Sequence, residues 1–353
     1  MMKSLKILAA GLLLALAGTA QAQLAGKNVI LVHGFQAGDL GDAPQSQEQI
    51  DQNGEAYWQA FWGARADARI DWGSHERVEG GIAERAFNQM VEISQQGLCN
   101  DGCILVTHST GDLVARYFLE HQAHWLQSAG VEPLNILVAL DFAGAGGGSE
   151  LADVAVNAAM SDGLVGWAAG LALDSFLGTS DPDSLGVLLD LQPATARNLA
   201  TSPNDVPRLR FVGGGSADSL NWARTMFLPG EDDGTVALHS TCGSTQANAY
   251  ESCDSGIDLD GKLTSVDAPA SLYFNHFPVL MGDEVNHSAV INNETGNTMT
   301  VAENNLNFSG VSISFNTETF EHSPWWSWSS DTFLVVSGSE QTSMSGLVVD
   351  TIQ

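Results

Sequence analysis

Basic residues are scarce in this chain: 13 Lys and Arg stand against 42 Asp and Glu, a formal net charge of −29 over 353 residues. Neutralising phosphates takes clustered Lys and Arg, so this balance excludes nucleic acid as a partner and disfavours anionic membrane surfaces. The same charge favours solubility and suits a salty medium, where self-repulsion is screened. Beyond the first residues no apolar run is long enough to span a bilayer, which excludes a transmembrane segment in the mature chain. The sequence also lacks a C-x-x-C pair, a zinc-type Cys/His spacing, an internal repeat, a low-complexity tract and a phosphate-cradling glycine loop.

What the chain does have begins at its N-terminus. Lys3 and Lys6 precede an apolar run from Ile7 to Ala17, and Ala20-Gln21-Ala22 closes the segment with small residues. That is the layout of a secretory signal peptide, residues 1–22, with cleavage expected after Ala22 and export to the periplasm or the medium. Without the two lysines, eleven basic residues face 42 acidic ones, a mature net charge of −31. Four cysteines in an exported chain predict two disulfides. Nearest-neighbour pairing, Cys99 with Cys103 and Cys242 with Cys253, is one of three connectivities and the one expected.

Strands and helices alternate along the first two-thirds. "KNVILVHGF" (Lys27 to Phe35) and "LNILVALDF" (Leu134 to Phe142) read as buried strands, as does "CILVTHS" from Cys103. "ARIDW" (Ala68 to Trp72), "RLRFVGGG" (Arg208 to Gly215) and "SLYFNHF" (Ser271 to Phe277) are further strand candidates. Helical spacing runs over Gly81–Gln95 and over about Thr110–Gln127. The pattern predicts an α/β fold, a mostly parallel sheet between helices. An Ala-rich, apolar stretch at about residues 149–199 interrupts it and reads as a helical lid inserted into a catalytic domain spanning 23–291. From 292 to 353, alternating stretches such as "VSISFNTETF" predict a small C-terminal β appendage, with "SPWWSWSS" (Ser323 to Ser330) as a core element or a contact patch.

The chemistry centres on "VTHSTGD". A serine hydroxyl needs a base to take its proton and donors to stabilise the oxyanion that forms. A strand, sharp turn and helix lift such a serine above a sheet, in the pattern G-x-S-x-G. Here Thr107 replaces the first Gly, and Gly111 supplies the small residue after Ser109. Ser109 is the expected nucleophile, with the backbone N–H groups of Phe35, in "HGF", and Thr110 as the oxyanion donors. An acid should follow, then a histidine. In "EDDGTVALHS" Asp233 is the expected acid, with Asp232 and Asp141 as alternatives. His287, in the polar loop "DEVNHSAVI", is the expected base, with His276 as the alternative.

Four pieces, "ILVHGF", "VTHSTGDLVARYF", "GAGGGSELAD" and "EDDGTVALHS", resemble secreted bacterial lipases of the α/β-hydrolase superfamily, nearest to the Pseudomonas and Burkholderia true lipases. The resemblance spans roughly Lys27 to Ile291. It implies Ser109, Asp233 and His287 as a triad, a lid from about Ala152 to Leu199, a folding chaperone and a structural calcium ion. Where the family usually has Pro-His before the lid, this chain has Gly144-Ala145-Gly146. No residues match the calcium ligands one by one, and "CDSGIDLDGK" (Cys253 to Lys262) departs from an EF-hand loop at Gly256. The chemistry itself needs no cofactor. The expected activity is therefore that of an exported carboxylic ester hydrolase, a triacylglycerol lipase, acting through an acyl-enzyme on lipid or polyester substrate. The alternatives are an aliphatic polyester depolymerase, a short-chain esterase, and, without catalysis, a binding protein on the same fold.

Overall fold

The computed structural model describes residues 24–160, 169–170, 172, 176–177, 184–201, 204–215, 221–247, 272–282, 284–301, 305–322 and 331–353. The expected signal peptide, Cys253, the D-x-D-G segment and Ser323–Ser330 lie outside them.

Six parallel strands form the frame: β1 (Asn28–Val32), β2 (Ala68–Ile70), β3 (Cys103–His108), β4 (Ile136–Phe142), β5 (Arg208–Gly213) and β6 (His276–Gly282), in the order β2-β1-β3-β4-β5-β6. The candidate strand at Ser271–Phe277 thus begins later, at His276, and runs on through "PVLM". Tyr273 and Asn275 are occupied in a turn that delivers Asn275 O to Arg208 N–H. Apolar side chains alternate between two cores, since successive residues of a strand face opposite sides. Ile30 and Val32 of β1 join the core under α3 (Ala83–Gln95) and α4 (Gly111–Ser128). Val29 and Leu31 join the opposite core with Trp58 and Trp62 of α2 (Gln47–Gly63), the helix that follows the short α1 (Gly38–Gly41). Burial on both faces explains why these strands read as unbroken apolar runs.

The β-rich C-terminal segment is continuous with this sheet. β7 (Met299–Val301) pairs antiparallel with β6, then β11 (Asp331–Val336) and β10 (Thr317–His322) follow at the edge. β8 (Asn305–Phe308) and β9 (Val311–Ser314) form a separate ribbon. A terminal helix, Met344–Thr351, returns to the core of Trp62, where Ser345 accepts the Trp62 indole N–H at 3.0 Å and donates to Val290 O at 2.7 Å. Cys99 and Cys103 form the expected disulfide just before β3. Cys242 is disulfide-bonded too. Among the described residues no helix is long and apolar enough to cross a membrane.

Candidate active site

At the end of β3 the chain turns sharply into α4, and Ser109 sits in the turn with φ of +55°. An L-residue pays conformational strain of about 1–2 kcal/mol for that geometry, and it persists only where the surroundings hold it. They do: Ser109 N–H donates to Phe142 O at 3.1 Å, while Ser109 O accepts from Asp112 N–H at 3.1 Å and Ala145 N–H at 2.8 Å. Gly111 is needed because helix and strand nearly touch; a Cβ there would run into the carbonyl oxygens of Val32 and His33.

Thr107, the departure from the Gly pattern, has a structural occupation. Its hydroxyl donates to Asp141 Oδ1 at 2.5 Å across the β3–β4 pair. Asp141 in turn binds the Arg208 guanidinium at 2.8 and 3.0 Å, fully buried. Asp141, the reserve acid, is thereby committed to the sheet interior, where burying a charge demands a charged partner. It does not face a histidine of the site.

The structure brings Ser109, His287 and Asp233 together. Ser109 Oγ lies 2.8 Å from His287 Nε2, and His287 Nδ1 donates to Asp233 Oδ2 at 2.7 Å. Asp233 sits in a tight turn in which its Oδ1 accepts the N–H groups of Thr235 and Val236 at 3.0 and 2.8 Å. Its backbone carbonyl also accepts His287 N–H at 3.0 Å. Asp232, the alternative acid, points elsewhere and caps its own turn through Gly234 N–H at 2.7 Å. Burial, then the neighbouring Asp233 charge, push its carboxyl up to about 6 against the pull of that N–H. His276, the alternative base, is buried beside Arg210 Nη2 at 3.4 Å. Desolvation and the charges of Arg210, Arg208 and Arg116 hold it well below the usual histidine range. It is a core histidine.

Phe35 and Thr110 line the same cavity as Ser109 and His287, and among the described residues no protein acceptor takes the backbone N–H of either. Buried hydrogen bonds hold the loop that carries Phe35. His33 Nε2 accepts Trp72 N–H at 3.1 Å and its Nδ1–H donates to Gly34 O at 2.8 Å, so the ring is neutral; burial lowers it to about 4. Ser74 Oγ accepts Gln36 N–H at 2.8 Å, and the buried Asp39 carboxylate accepts Ser74 N–H at 2.9 Å.

The cavity has a volume of about 320 Å³. Its walls include Phe176, Leu191, Val236 and Ile291, with Arg224 as a cationic contribution. Phe176 belongs to the stretch expected to form a lid and stacks on Phe35 at 5.4 Å between ring centroids. Tyr57 and His108 also line the cavity, and sequence reasoning missed both. Tyr57 belongs to an aromatic-rich helix with no motif, and His108 looked like a mere neighbour of the nucleophile. No group of three or more His, Cys, Asp or Glu among the described residues converges as a metal site, so calcium is assigned to none of them.

No family model matches the sequence, and no curated protein matches it. Among solved structures the chain is similar to a Bacillus licheniformis lipase in its mature form, at 21% identity over 60% of this chain and 76% of that one, with a TM-score of 0.39. It is similar to a metagenomic carboxyl esterase at 21% identity, 60% and 59% coverage and a TM-score of 0.36. Lipase 1 from Pelosinus fermentans aligns at 14% identity over 75% of this chain and 93% of that one, with a TM-score of 0.40.

Proposed function

We propose that this protein is a serine-dependent carboxylic ester hydrolase. The observation that carries the reading is the relay Ser109 Oγ to His287 Nε2 to Asp233 Oδ2, two hydrogen bonds of 2.8 and 2.7 Å on a positive-φ turn at the wall of a cavity with both apolar and polar walls. In this mechanism Ser109 attacks the ester carbonyl while His287 Nε2 takes its proton. The tetrahedral oxyanion is stabilised by the N–H groups of Phe35 and Thr110. The imidazolium then gives its proton to the departing alcohol, leaving an acyl-serine. Water attacks that acyl group by the same proton path, releases the acid and restores Ser109. Asp233 holds the Nδ1–H tautomer throughout and remains ionised as the imidazolium forms.

The substrate reading is an ester with an apolar acyl group, a triacylglycerol in the first instance. The cavity of about 320 Å³ lies at the small end of ligand pockets and supports a second reading, a short-chain esterase. We also read the protein as exported. The Cys99–Cys103 disulfide supports an oxidising destination, in keeping with the N-terminal segment.

Hydrolysis of p-nitrophenyl esters from two to sixteen acyl carbons (roughly the range from esterase to lipase substrates) tests both points. Ser109→Ala is expected to retain its circular dichroism spectrum and lose at least ~10³-fold in kcat. Unchanged hydrolysis in that variant would sink the proposal. A maximum at long chains supports the lipase reading, and a maximum at short chains the esterase.

A further inference from the structure

His108 precedes the nucleophile, is buried, and uses both ring nitrogens. Its Nε2 lies 2.8 Å from the backbone carbonyl oxygen of His287. A carbonyl only accepts, so that nitrogen carries the proton. A neutral imidazole protonated at Nε2 has its lone pair at Nδ1, and there the hydroxyl of Tyr57 donates in a short hydrogen bond. The two histidine rings stand 4.8 Å apart. The base is therefore tied to the nucleophile's own segment twice, through its ring to Ser109 Oγ and through its carbonyl to His108.

We propose that Tyr57 and His108 are a positioning pair for the base. The chain from Tyr57 O–H to His108 Nδ1, and from His108 Nε2–H to His287 C=O, pins the backbone of His287 against the elbow. It also keeps an uncharged ring beside the imidazolium that forms in turnover. This proposal rests on the ester hydrolase reading for its kinetic consequences. Two titratable groups face the pair. His287 approaches from the loop after β6 and carries Asp233 behind it. His33, from the loop after β1, stands 5.5 Å from Tyr57 ring to ring and is neutral through its own hydrogen bonds. Tyr57 itself comes from α2; burial pushes its phenol well above the usual range, so it stays a donor. Burial and the charge of His287 hold His108 well below the ordinary histidine range, consistent with this neutral tautomer.

A cation at His108 would cost catalysis twice. Nδ1 would become a second N–H facing the Tyr57 hydroxyl, and the positive ring would oppose the charge His287 must gain. Tyr57→Phe removes the donor that holds the lone pair at Nδ1. The acidic limb of kcat/KM against pH is expected to move to higher pH by about half a unit or more, with KM nearly constant. His108→Phe removes the anchor of the His287 carbonyl and is expected to lower kcat by about 10-fold to 100-fold. His108→Gln places an amide N–H near the former Nε2 and is expected to recover most of that loss.

The experiment measures kcat and KM on p-nitrophenyl butyrate from pH 5 to 9 for wild type and the three variants. Alongside it, ¹⁵N imidazole shifts of His108 and His287 are recorded from pH 5 to 8, and near-ultraviolet circular dichroism confirms native packing. The pair is supported if wild-type His108 stays neutral with its proton on Nε2, the Tyr57→Phe limb moves, and Gln rescues where Phe fails. It is overturned if His108 titrates in that range, carries its proton on Nδ1, or leaves the pH profile untouched when Tyr57 is changed. Equal impairment by Gln and Phe overturns it as well. A wild type that shows the expected tautomer but neither hydrolyses esters nor labels at Ser109 with a fluorophosphonate refutes the ester hydrolase reading and the kinetic role together, and leaves the hydrogen-bond chain standing as architecture.

Discussion

Individual residues here are often held by one decisive neighbour. Asp232 and Asp233 are adjacent and chemically identical, yet the fold gives them opposite tasks. Asp233 receives a histidine N–H and two backbone N–H groups, whereas Asp232 has a single strong backbone donor and sits in the field of its neighbour. The carboxyl of Asp232, near 6 in the fold against an ordinary value of 3.8, is protonated more readily folded than unfolded. Between those values the native state binds more protons, so this group costs stability as pH rises from about 4 to 6, and the full cost is present above 6. Asp232→Asn keeps the acceptor for Gly234 N–H and removes the charge. It is expected to stabilise the protein by about 1–2 kcal/mol at pH 8 and by nothing at pH 4. Urea unfolding at the two pH values reads this directly; a gain that persists undiminished at pH 4 would contradict the assignment.

Secondary-structure elements show how far apart in sequence the supports of one side chain lie. The loop of His287 follows β6, but its floor is built by the terminal helix Met344–Thr351, through the bridge from Trp62 to Ser345 to Val290. The C-terminal strands extend the sheet edge next to β6, so the segment after 292 shares the core that seats the base. Ser345→Ala leaves a buried indole N–H and the Val290 carbonyl without that bridge. A loss of about 2 kcal/mol is expected in denaturant unfolding, with kcat falling as the His287 loop loosens. Stability equal to wild type would show that the bridge is not needed to seat the helix.

Across the whole molecule, the excess of negative charge is the dominant long-range term. A net formal charge of −29 repels itself in the compact state more than in the expanded chain. Buried cations are already committed: Arg208 and Arg210 pair with Asp112 of α4 and Asp141 of β4, while Arg116 and Arg197 donate to backbone carbonyls. Raising NaCl from about 0.05 to 1 M shortens the screening length to about 3 Å. The midpoint of thermal unfolding is expected to rise by roughly 3 °C or more over that range. A falling midpoint would mean that attractive surface pairs outweigh the repulsion.

The sequence alone determined the class of fold and singled out Ser109; it offered Asp233 and His287 with Asp232, Asp141 and His276 still beside them, and the packing chose between these. Apolar runs bounded by turns specify buried strands locally, and the elbow is a local turn whose strain demands a small residue at Gly111. Tertiary structure decided everything that depends on which chain segments converge. It set Asp141 against Arg208 and His276 against Arg210, because a buried charge is defined by its partner and no local pattern names that partner. It joined the C-terminal strands to the sheet, since an alternating run reads the same at the edge of one sheet or in a separate one. It also placed Tyr57, 51 positions before His108, at the ring nitrogen that selects the tautomer. A hydrogen bond between residues so far apart leaves no periodicity in the sequence; only the packed helix and sheet bring its ends within reach.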